Sequence, residues 1–63
     1  MQKLKEFRLK NNYTQRYIAY KIGVSQQAVV KWENGQAIPN MKHIIMLSSL
    51  IKCSIDELIN SIK

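Results

Sequence analysis

Residues 14–34 read Thr14-Gln15-Arg16-Tyr17-Ile18-Ala19-Tyr20-Lys21-Ile22-Gly23-Val24-Ser25-Gln26-Gln27-Ala28-Val29-Val30-Lys31-Trp32-Glu33-Asn34, and this stretch decides the fold. Thr14 and Ser25 carry the side-chain oxygens that favour helix N-termini, where backbone amides lack intrahelical partners. Between them Ile18, Ala19 and Ile22 recur at helical spacing, so residues 15–22 form an amphipathic helix. Gly23 follows at the point where a helix stops and the chain must turn without Cβ strain. Val24 anchors that turn in the core. A turn this short forces the helix after Ser25 to cross its predecessor steeply, with the small Ala19 at the crossing. Residues 14–33 therefore read as a helix-turn-helix unit.

The second helix of the unit has two contrasting sides. Ala28, Val29 and Trp32 project toward the core. Gln27, Val30, Lys31 and Asn34 fall at i, i+3, i+4 and i+7 on the opposite side, with Gln26 beside them. Two glutamines, a valine and a lysine form an unusual solvated surface but a sensible reading head. Glutamine pairs bidentately with adenine in the major groove, lysine donates to guanine or phosphate, and valine meets a thymine methyl.

Working outward, three more helices complete the chain. The first runs from about Gln2 to Asn11, with Leu4 and Phe7 as its apolar stripe among Lys3, Lys5, Arg8 and Lys10. These lysines read as solubility charge. Asn34-Gly35 ends the third helix, and Pro39 biases Ile38 toward an extended conformation. Asn40 caps a fourth helix with Met41, Ile44, Leu47, Ser48 and Ile51 expected inward. Ser54-Ile55-Asp56-Glu57 is a capping box opening a fifth, whose buried face is expected at Ile55, Leu58 and Ile59. The fold class is thus all-α: a single five-helix domain over residues 1–63.

Composition supports this reading and excludes others. A chain of 63 residues has room for one small core. One cysteine, Cys53, permits no internal disulfide and reads as a small buried apolar residue. His43 has no partner at ligand spacing, so no metal and no cofactor are expected. Paired carboxylates, a nucleophile with a base and a Gly-rich phosphate loop are all missing, which argues against an enzyme or a small-molecule site. The net charge of +6 calls for a polyanionic or acidic partner. It is unevenly spread: Met1 to Lys52 holds nine Lys/Arg against Glu6 and Glu33, while the tail carries Asp56 and Glu57. The longest mostly apolar run, Ile44 to Ile51, is far below the roughly 20 residues needed to span a bilayer. No export signal is visible, so a cytoplasmic location and no membrane partner are expected.

The whole pattern resembles the Cro/phage-repressor (XRE) helix-turn-helix family. The residues that carry the resemblance are Thr14-Gln15, Ile18-Ala19, Ile22-Gly23-Val24-Ser25-Gln26, Trp32-Glu33-Asn34-Gly35, Pro39 and Ser54-Ile55-Asp56-Glu57-Leu58. It runs without a gap from about Leu4 to Ile59. The resemblance implies a compact lambda-repressor-like domain that binds double-stranded DNA and regulates transcription, most simply as a repressor. It implies base reading by Gln26, Gln27 and Lys31, to which the helix-face reading above adds Val30. It implies phosphate contacts by Gln15 and Asn34 and a Gln15–Gln26 side-chain pair that braces the reading head; Thr14, Arg16, Ser25 and Gln36, at the helix starts and just past the third helix, are added as phosphate candidates from their positions. It also implies that Arg8 and Glu33 form a structural ion pair between the first and third helices.

Two departures stand out. Lys52 occupies a position where relatives often have Gly, and the loop Gln36-Ala37-Ile38 lacks the basic residues of several relatives. Met46 and Leu50, at i, i+4 on the fourth helix, are expected to point outward. They are either isolated exposed apolar residues or, with Ile62, a patch for a weak homodimer. The rival to DNA reading as the main role is an antitoxin-like or phage-switch protein that captures a protein partner through that patch.

Overall fold

A computed structural model describes residues 1–62 and contains five helices in the expected order. They are α1 (Gln2–Lys10), α2 (Gln15–Ile22), α3 (Gln26–Asn34), α4 (Met41–Ile51) and α5 (Ile55–Asn60). The architecture is the lambda-repressor-like five-helix domain, with α2 and α3 forming the helix-turn-helix. Four of the helices start on the polar caps named from sequence. Thr14, Ser25, Asn40 and Ser54 each accept a hydrogen bond from the backbone N–H three residues on. Each cap satisfies one amide that the helix itself leaves orphaned.

Gly23 adopts a left-handed conformation (φ +84°), and its N–H donates to the Ala19 carbonyl at 2.9 Å. That closure ends α2 and turns the chain into Ser25, so the angle between α2 and α3 rests on one residue without a Cβ. The core is built from Leu4, Ile18, Ile22, Val29, Trp32, Ile44, Leu47, Ile51 and Leu58, with Ala19 buried where α2 and α3 approach. The Met1 side chain joins this cluster, and its nitrogen donates to the Trp32 carbonyl at 2.6 Å. The start of α1 is thereby tied to the last turn of α3.

Cys53 is buried in the same core, as the apolar reading of the sequence requires. Burial pushes its thiol above the ordinary range, and the nearby Glu57 carboxylate adds to the shift. A neutral thiol of this kind is a packing residue.

Several faces differ from the sequence reading. Met41 is 54% exposed rather than inward, and Ile55 and Ile59 are each more than one-third exposed. Met46 and Leu50 do not point outward; both are half-buried and pack against the core, as does Ile62. The outward apolar residues of α4 are Met41 and Ile45. The cause is rotation: Ile44, Leu47 and Ile51 fix the inward side of α4, and 100° per residue then turns Ile45 to solvent. Met46 and Leu50 fall on the flank facing α2, where they line a shallow apolar groove with Ile22 and Ile45.

Lys52 closes α4 in the left-handed region (φ +58°), the conformation that a glycine would accept freely. A lysine there carries Cβ strain that glycine avoids, partly offset by the extra freedom glycine gives the unfolded chain. Lys52→Gly is therefore expected to stabilise the domain by about 0.5–1 kcal/mol. A thermal melt followed by circular dichroism should rise by a few degrees. An unchanged melt would show that contacts of the lysine stem make up the strain.

Candidate nucleic-acid interface

The reading face is set by what α3 buries. Val29 and Trp32 are in the core, and Ala28 is half-buried beside them. A helix held by that side must present Gln26, Gln27 and Lys31 to solvent, and all three are exposed. Val30 is half-buried at the edge of this face, so it offers part of its surface rather than all of it. Asn34 closes the face at the last helical residue and is also exposed.

Phosphate-binding geometry gathers at the starts of α2 and α3. Thr14 and Ser25 spend their side-chain oxygens on the amides of Tyr17 (2.9 Å) and Ala28 (3.2 Å). The amides nearest each cap remain without helical acceptors, and both helix dipoles present their positive ends there. Thr14, Arg16, Gln26 and Asn34 share one open trough formed where α1, α2 and α3 meet. Lys5 stands on the rim of that trough. The sequence assigns Lys5 to solubility charge, because nothing in α1 alone tells which of its lysines turns toward α2 and α3. Gln36 is exposed just past the C-cap of α3, outside the residues that line the trough.

Behind the trough lies the ion pair that holds the reading helix. Arg8 Nε donates to Glu33 Oε2 at 2.6 Å, and Arg8 Nη2 donates to Oε1 at 3.2 Å. Arg8 Nη1 donates to the Tyr13 carbonyl at 2.9 Å. The Glu33 side chain is only 2% exposed, so this charge has left water almost completely. Bidentate geometry is what makes such burial tolerable.

Gln15 corrects the expected arrangement. Its Nε2 donates to Glu33 Oε1 at 3.1 Å, rather than pairing with Gln26. A carboxylate only accepts, so the amide nitrogen of Gln15 must face Glu33 and its oxygen must face away. Gln15 thus joins the structural network while still lining the trough beside Gln26. The signal that could have revealed this is the position of Glu33 one residue before the end of α3, level with the start of α2.

A further surface was not read from sequence. Tyr17 and Tyr20 are exposed on the outer side of α2, with Tyr13 4.7 Å from Tyr17 between ring centroids. Lys21 lies over the Tyr17 ring at 5.7 Å. Tyr17 and Tyr20 are solvated, whereas Tyr13 is half-buried and lines the trough with Gln26 and Asn34.

Comparison with known proteins follows the same outline. A family description, helix-turn-helix, matches residues 4–58. This chain belongs to the Cro/phage-repressor (XRE) type helix-turn-helix family. The match is to a DNA-binding helix-turn-helix domain of transcriptional regulators. Two relatives are similar to this chain. It is 37% identical over 59 residues to the HTH-type transcriptional activator BcrR of Enterococcus faecalis, covering 94% of this chain and 29% of that protein. It is 38% identical over 47 residues to the cryptic phage CTXphi transcriptional repressor RstR of Vibrio cholerae serotype O1, covering 75% of this chain and 42% of that protein. The chain therefore spans less than half the length of either relative. No solved structure matches it. Among the described residues no helix is long and apolar enough to cross a membrane.

Proposed function

We propose that this chain is a sequence-specific reader of double-stranded DNA that acts as a small transcriptional repressor on a pseudo-palindromic operator. The observation that carries the reading is the division of α3: Val29 and Trp32 hold one side in the core while Gln26, Gln27 and Lys31 are free on the other. A helix about 10–12 Å across with its side chains fits the major groove, whose width is about 12 Å.

In this mechanism α3 enters the groove, and Gln26, Gln27 and Lys31 address base edges while Val30 offers an apolar edge. Arg16, Asn34, Gln36 and the amides after Thr14 and Ser25 contact phosphates and set the register. Gln15 serves mainly as a brace between Glu33 and the trough. Two copies share the operator, each on its own half-site, as a weak homodimer. Their spacing of one helical turn, about 34–36 Å, exceeds what one domain can reach with α3.

The named relatives are an activator and a repressor, so the sign of regulation follows from where the operator sits relative to a promoter. Capture of a protein partner through Met46 and Leu50 is the alternative reading, and their packing against the core leaves it less surface than their positions in the sequence suggest.

Selection of bound duplexes from a random DNA pool tests the proposal. Enrichment of a two-fold repeat supports it, and recovery of unrelated sequences would remove it. A second measurement separates phosphate contact from base reading. Arg16→Ala should weaken binding to specific and random DNA alike and reduce the salt slope of log K by about 0.9. An unchanged slope would place Arg16 off the DNA backbone.

A further inference from the structure

The lysines of α1 are not equivalent. Lys3 Nζ sits 3.5 Å from Glu6 Oε1 and 6.0 Å from the centre of the Phe7 ring, and Lys10 Nζ lies 5.3 Å over the same ring. Both are turned to the Phe7 side of the helix. Lys5 is exposed on another side, which it shares with Arg8, Leu9 and, past the helix end, Asn12, at i, i+3, i+4 and i+7. All four line the trough where α1, α2 and α3 meet, together with Arg16 and Gln26.

The charge of that trough is one-sided. Glu33 is the single acid among its lining residues, and its carboxylate is already committed to Arg8 and Gln15. Lys5 and Arg16 remain, and neither joins a salt bridge among the described residues. Two unpaired cations in one open depression beside the reading face favour an anion there. We propose that Lys5 holds a phosphate of the DNA backbone, which makes α1 part of the interface. The inference rests on the operator reading above and adds a contact from a helix outside the helix-turn-helix unit.

Two further features fit this role. The loop that follows α3, Gln36-Ala37-Ile38, carries no cation, and Lys5 makes good part of that deficit from α1. Arg8, one turn after Lys5, is bound through both side-chain contacts to Glu33 in the last turn of α3. A phosphate held by Lys5 therefore acts on the reading helix through a firm connection and helps to set how α3 enters the groove.

The test is a set of anisotropy titrations at several salt concentrations, on the operator from the random-pool selection and on a scrambled duplex. Lys5→Ala should reduce the salt slope of log K by about 0.9 on both duplexes. Its loss of affinity is then about three- to fourfold greater at 50 mM than at 200 mM salt. Lys5→Arg should restore the slope. Lys10→Ala removes the same charge from the Phe7 side and should leave the slope unchanged. Thermal melts should match the wild type for both Lys5 variants, since the residue is exposed. Replacing one phosphate at a time by an uncharged methylphosphonate then locates the contact. At one position the wild type should weaken while Lys5→Ala does not, the non-additivity expected of groups that touch. Equal slopes for Lys5→Ala and Lys10→Ala, or a phosphate map that Lys5→Ala leaves unaltered, overturns the assignment and makes Lys5 a solvated charge. A wild type that binds the two duplexes alike removes the operator reading instead, and the slopes on the scrambled duplex still decide Lys5.

Discussion

Glu33→Ala is expected to cost about 3–5 kcal/mol, because it leaves the Arg8 guanidinium buried without its counter-charge. Arg8 is 10% exposed at its side chain and donates twice to the carboxylate that the substitution removes. Stability for 63 residues is roughly 3–9 kcal/mol, at about 0.05–0.15 kcal/mol per residue. The loss therefore consumes much or all of the folding free energy, and the variant should be partly unfolded at room temperature. Urea titration followed by circular dichroism measures it. Arg8→Met combined with Glu33→Leu should recover most of the loss, since apolar replacements of a buried pair are often neutral. Recovery stops short of complete because the Tyr13 carbonyl and Gln15 Nε2 lose their partners in this network. If Glu33→Ala costs under about 1 kcal/mol, Arg8 must reach water, and the pair is not the clamp on α3 that its burial indicates.

This clamp marks the boundary between what the sequence discloses and what it withholds. The four polar caps are legible because a helix start needs a side-chain oxygen, and Thr14, Ser25, Asn40 and Ser54 each precede an apolar run. The outward placement of Gln26, Gln27 and Lys31 is legible because Trp32 and Val29 leave α3 only one way to lie. The partner of Gln15 is not, because it depends on how far α3 swings toward α2 in three dimensions. The outer side of α4 is hidden for another reason. Ile44-Ile45-Met46-Leu47 is apolar throughout, so periodicity admits more than one inward side, and neighbouring helices decide between them. In α5 six residues are too few to define a face, and the exposed Ile55 and Ile59 follow. The strain at Lys52 is signalled only by the resemblance, in which Gly often stands at that position; the neighbouring residues give no sign of a left-handed turn.

Gln26→Ala should cost about 1–3 kcal/mol on the selected operator and almost nothing on a scrambled duplex, a loss of discrimination of about 5–150-fold. Gln26 opens α3, is exposed, and has neither its backbone nor its side chain engaged in the core. Truncation should therefore leave the fold intact, and an unchanged thermal melt is the control. The amide offers a donor and an acceptor side by side, which match N7 and N6 of adenine, whereas phosphate oxygens accept only. Removing it must lower affinity where the matched base is present and leave backbone contacts, with their salt slope, in place. Anisotropy titrations of both duplexes at several salt concentrations separate the outcomes. Equal weakening on the two duplexes with a reduced slope would make Gln26 a backbone contact and transfer base reading to Gln27 and Lys31 further along α3. Loss on the operator alone at constant slope ties sequence discrimination to the one helix face that Val29 and Trp32 hold outward.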